Sequence, residues 1–138
     1  MTERSKWQDK HAPSLAEFEL MAAAAWDRLP GAFRKMCGDL IIRVEDFAID
    51  ETLDELGIES PFDLMGLYQG VSLDKKSVSD VAREPDMVFL YRRAILDYWA
   101  DGDETLGEIV THVLVHEIGH HFGFTDADME EIEGSVTG

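Results

Sequence analysis

The chain has 138 residues, the size of one ordinary domain, and its 45% hydrophobic content can offset the entropy of ordering, so one globular domain is expected. With 12 basic residues against 29 acidic ones the net charge is −17, which repels a phosphate backbone or an anionic membrane surface and leaves neither as an expected partner. Cys37 is the single cysteine, so an intramolecular disulfide and the Cys-rich zinc ribbons and fingers are excluded, and any metal must be held by His and carboxylate.

Met1 to Pro13 is polar and aperiodic and reads as an N-terminal arm; it has no apolar run of the signal-peptide kind, and a cytoplasmic location is expected. Ser14 with Glu17 forms a capping-box pattern ahead of Leu15, Phe18, Met21, Ala22, Ala25, Trp26 and Leu29 at helical spacing, and Pro30-Gly31 ends that run. Leu40 to Ala48 is short, branched and partly alternating, as suits a strand. Glu51 to Leu56 reads as one helical turn closed by Gly57, and Gly66 to Leu73 and Met87 to Arg92 are two further strands around a polar loop, Asp74 to Asp86.

Ala94 to Ala100 is expected to be helical, and Asp101-Gly102-Asp103 turns the chain into the longest helical stretch, Glu104 to His121. There Leu106, Ile109, Val110, Val113, Leu114, Ile118 and Phe122 sweep a broad apolar arc at ~100° per residue, while Thr105, Glu108 and His112 form a narrow polar wedge. Gly123 is placed to stop this helix, and Thr125 with Asp128 caps a last short one through Ile132. A single domain over residues 14–133 is expected, followed by a tail of residues 134–138.

Within the long helix lies His116-Glu117-Ile118-Gly119-His120, in which two imidazoles one turn apart project side by side and can share one zinc ion. Both fall where the polar wedge meets the apolar arc, at a cleft wall. Glu117, turned away by one residue's rotation, is the candidate general base. The alternative is a pair of satisfied polar groups on a helix. The continuation to Gly123 and Asp126 adds a left-handed turn that can fold Asp126 back as third ligand, completing His116, His120 and Asp126 with one position left open. Asp126 would equally suit the first turn of the last helix through the helix dipole, and Glu130, Glu131 and Glu133 are rival ligands. His112, His116 and His120 span ~12 Å of helix axis and cannot all reach one ion, so His112 is read as a surface or supporting group. His121 points away from His116 and is read as a packing or hydrogen-bonding residue.

The run from His116 to Gly123 followed by Asp126, with Gly66-Leu67-Tyr68-Gln69-Gly70 and the Val88-Phe89-Leu90-Tyr91-Arg92 strand upstream, resembles the small bacterial zincin-like metallopeptidase family over about Ser14 to Glu133. The resemblance implies a minimal α+β zincin fold, in which a small mixed or antiparallel sheet lies against the active-site helix. It also implies one zinc ion per chain and hydrolysis of a peptide or protein substrate. The motif is similar to that of the Asp-zincins, whose third ligand is the aspartate. No Met-turn has room to follow, and no downstream Tyr, His or Arg is available to stabilise an oxyanion; Tyr68, Tyr91 and Arg92 are the substitutes at hand. Two other readings stand beside the peptidase: a catalytically quiet zincin-like binding module, and a metallo-endoribonuclease, whose family has His where this chain has Asp126. Glu117 and the charge of −17 favour peptide over RNA.

Overall fold

A computed structural model describes residues 6–70 and 85–136 of the chain. The first helix, α1 (Leu15–Asp27), opens as its sequence pattern requires. The Ser14 hydroxyl accepts from the Glu17 N–H at 3.1 Å, and the Glu17 carboxylate accepts from the Ser14 N–H at 3.0 Å. Two of the donors that a helix start leaves orphaned are thereby satisfied.

Pro30-Gly31, expected only to end that helix, also begins another, α2 (Gly31–Met36), which buries Phe33. A proline without an N–H loses nothing at a helix start, where that donor has no partner anyway. After β1 (Ile41–Glu45) comes α3 (Asp50–Leu56), closed by Gly57 at φ 69°, a left-handed conformation that favours glycine. A 3-10 turn (Pro61–Asp63) leads into β2 (Gly66–Gln69), and β3 (Met87–Tyr91) runs directly into α4 (Arg92–Ala100). The end of the second expected strand, 71–73, and the expected loop over 74–84 lie outside the described residues.

The sheet has the order β1-β3-β2, with β1 parallel and β2 antiparallel to β3. It is mixed, and the protein is α+β. Alternation along β3 divides its side chains between two cores. Val88 and Leu90 join Phe18, Ala22, Ile109, Val110, Val113 and Leu114 on the face covered by α1 and by α5 (Leu106–Phe122). Phe89 and Tyr91 pack with Ala48, Leu53 and Ala94 on the other face.

α5 is the central element. Thr105 caps it by accepting from the Glu108 N–H at 3.1 Å, and Gly123 ends it at φ 77°. The Phe124 N–H then returns to the Gly119 carbonyl at 2.8 Å, which satisfies one of the carbonyls orphaned at the helix end. Ile109, Val110, Val113, Leu114, Val115 and Ile118 are all buried, each worth about 1.5–3 kcal/mol of apolar transfer. The last helix, α6 (Asp126–Val136), starts at the expected Thr125/Asp128 capping box but runs on to Val136, which is buried and whose carbonyl accepts from the Arg28 guanidinium at 3.0 Å. Its Met129 is fully buried against Gly119 of α5, where a side-chain carbon would lie 2.5 Å from the Met129 sulfur. Glycine at 119 thus sets how closely α5 and α6 approach.

Candidate metal centre on the central helix

The second half of α5 carries His116, Glu117 and His120. His116 and His120 stand one turn apart with ring centroids 5.6 Å from each other. His116 is about one quarter exposed and His120 is exposed, so the pair lies at the boundary of the buried arc. Burial, together with the neighbouring His112 and His120, pulls the His116 pKa down against the opposing charges of Glu133 and Asp126. A lowered pKa keeps the imidazole neutral, as a metal ligand must be.

Glu117 points the other way, into the contact between α5 and β2. Its Cγ would be 3.3 Å from a side-chain carbon at Gly66, and its carboxyl is pushed above the usual range by burial, with His120 and the backbone of Tyr68 working in the opposite direction. A partly desolvated carboxylate with a raised pKa, one residue along the helix from His116, is a stronger base than a solvated one.

Asp126 is the first residue of α6, exposed, and near enough for its charge to act on His116. His112, His116 and Glu133 stand closer still: one potential ligand atom from each lies within 4.8 Å of the others, and among the described residues this is the group of three that does so. His120 and Asp126 are not in it. The Glu133 carboxylate reaches His112 Nδ1 at 2.7 Å and His116 Nε2 at 3.5 Å. The sequence ranks Glu133 only as one of several rivals to Asp126 and sets His112 aside. The signal that could have joined them is the apolar spacing Met129, Ile132 and Val136, which prolongs α6 and carries Glu133 over His112. Glu130 and Glu131 are exposed on α6.

The remaining candidates have structural tasks. His121 stacks on Tyr68 with centroids 3.9 Å apart, and the Tyr68 hydroxyl donates to Asp86 Oδ2 at 2.7 Å. Tyr91 is 3% exposed and its hydroxyl is pushed up to about 12, chiefly by burial. Arg92 donates to the Pro13 carbonyl at 2.6 Å and to Asp46 at 3.0 Å, fastening the N-terminal arm to α4. The donors that α5 and α6 do bring together, neutral imidazole and carboxylate without thiolate, suit a catalytic zinc ion. Cys37 is buried, with its thiol pushed up to about 11 by desolvation first and Asp86 second, and its sulfhydryl donates to the Phe33 carbonyl.

Among the described residues no helix is long and apolar enough to cross a membrane. A search of curated proteins returns no match. The family model described as Zincin-like metallopeptidase matches residues 37–136, a span that holds the whole sheet and both helices of the candidate centre, and the chain belongs to that family.

Proposed function

We propose that the chain is a zinc-dependent peptidase in which His116, His120 and Asp126 hold one zinc ion and Glu117 is the general base. The observation that carries this reading is the placement of Glu117. Its carboxyl is desolvated against β2, its pKa is raised, and it follows His116 directly on the same helix. Bound zinc would supply Lewis acidity, polarising a peptide carbonyl and making water a stronger acid.

The chain's own residues do the rest. Glu117 accepts a proton from the attacking water at a carboxylate oxygen and hands it to the departing amine nitrogen. Gly66, having no side chain, leaves the room on the sheet side in which Glu117 lies, since a carbon there would come within 3.3 Å of its Cγ. Asp126, delivered to the start of α6 by the Gly123 turn, adds a negative charge that favours a cation at the His pair.

Glu117→Gln tests the reading. The variant should retain zinc and lose hydrolysis of casein or a peptide library by about 10²–10⁴-fold, the usual worth of a general base. Turnover equal to the parent's would remove Glu117 from the mechanism, and a zinc-loaded parent that cleaves nothing in the library would favour a binding module instead.

A further inference from the structure

The proposed centre leaves His112 and Glu133 without a task, yet with His116 they form a close polar cluster between α5 and α6. His112 precedes His116 by one turn, and their ring centroids are 3.8 Å apart, closer than the 5.6 Å between His116 and His120. Glu133 reaches both rings, with Oε1 2.7 Å from His112 Nδ1 and Oε2 3.5 Å from His116 Nε2. Its position is fixed from two sides. Met129, one turn earlier on α6, is locked into the glycine gap at Gly119, and Val136 beyond it is buried.

We infer that His112, His116 and Glu133 form a second, outer position for a divalent transition-metal ion, which competes with the inner position of His116 and His120 for the same imidazole. This goes beyond the peptidase reading. Zinc bonds of ~2.1 Å in tetrahedral array put neighbouring donors ~3.4 Å apart. His116 Nε2 stands at about that separation from Glu133 Oε2, the half-exposed His112 lies 2.7 Å from the other oxygen, Oε1, and one ligand atom from each of the three falls within 4.8 Å of the others, so a small rearrangement brings them round one ion. Glu133 also lines a cleft of about 210 Å³ in which the three carboxylates of Glu104, Glu108 and Glu133 outnumber the one guanidinium of Arg28, a net negative charge that favours a cation. The Nε2 lone pair of His116 can face one ion at a time, and the two positions are therefore exclusive where they share it.

The consequence is that loss of His120 moves the ion outward and does not empty the chain. Zinc and cobalt titrations of the full-length parent, His120→Ala, His120→Ala/His112→Ala and His120→Ala/Glu133→Gln test this, with the far-UV spectrum of each apo variant recorded beside them. His120→Ala should still bind one ion per chain, more weakly than the parent. Each double variant should bind at least ~10-fold more weakly again, the effect expected when a ligand is removed. His112 is an exposed side chain and Glu133→Gln keeps the shape of the original, so one of the doubles will report on binding even if the other folds poorly. A His120→Ala variant that binds no ion, or doubles that match it, would overturn the inference. The readout contains no substrate, so a failure of Glu117→Gln to lose hydrolysis would sink the peptidase mechanism and leave this result intact.

Discussion

Gly66→Ala probes the close approach of β2 to α5 beside Glu117. A side-chain carbon at residue 66 would lie 2.5 Å from Val113 Cγ1, 3.1 Å from the Phe89 carbonyl oxygen and 3.3 Å from Glu117 Cγ. Carbon atoms pack at about 3.5–4.0 Å, so roughly 1 Å must be found. Val113 cannot easily yield, because it is buried and a β-branched residue in a helix has one strongly preferred rotamer. Overpacking of this kind costs about 1–3 kcal/mol, offset by about 0.4–1 kcal/mol from the lower entropy of the unfolded alanine chain. The net loss should be about 1–2 kcal/mol, a fall in melting temperature of about 3–8 °C for a domain of this size. Thermal melts of the parent, Gly66→Ala, Val113→Ala and the double variant measure it. If the clash is with Val113, trimming Val113 relieves it and the double costs less than the sum of the singles. Additive costs, or an unchanged melting temperature in Gly66→Ala, would refute the reasoning.

Asp126→Asn separates two roles for the first residue of α6. As a zinc ligand its loss should weaken zinc by at least ~10–100-fold with little change in the melting point of the apo protein, whereas a helix-start residue alone would cost only ~0.3–1 kcal/mol of stability and leave affinity intact; zinc titration and apo melting decide between them. The capping carboxylates Glu17 and Asp128 are held below their ordinary values of 4.5 and 3.8, first by backbone hydrogen bonds from Ser14 and Thr125 and then by the hydroxyls of the same residues. Because these values are depressed in the fold, the stability they contribute is fully present above the ordinary values and is lost as pH falls below them. Glu17→Gln and Asp128→Asn should therefore be less stable than the parent near pH 7, with the gap in urea denaturation closing as pH falls below those ordinary values, and a gap that does not change with pH would contradict this.

Local signals were legible where one residue type meets one geometric demand. The Ser14/Glu17 and Thr125/Asp128 boxes and the left-handed glycines at 57 and 123 all stand where the sequence puts them, because each satisfies orphaned backbone groups within four residues. The helix over Gly31–Met36 was hidden behind Pro30-Gly31, a pair that ends one helix and starts the next; the Phe33 and Cys37 spacing was the available hint. The parallel pairing of β1 with β3 could not be read, since it joins Ile41 to Met87 across 46 residues and depends on tertiary packing. In the site, the histidine pair and Glu117 follow from helical periodicity alone. The meeting of Glu133 with His112 does not, because it depends on how closely Met129 lets α6 lie on α5.

In the proposed centre α5 binds zinc through His116, the residue that the proposed inner and outer positions would share. Metal analysis of His116→Ala beside the parent, both loaded with zinc and freed of excess, tests it most directly. The parent should carry about one zinc per chain and the variant should carry essentially none, with its apo fold retained. An unchanged zinc content in His116→Ala would contradict the account.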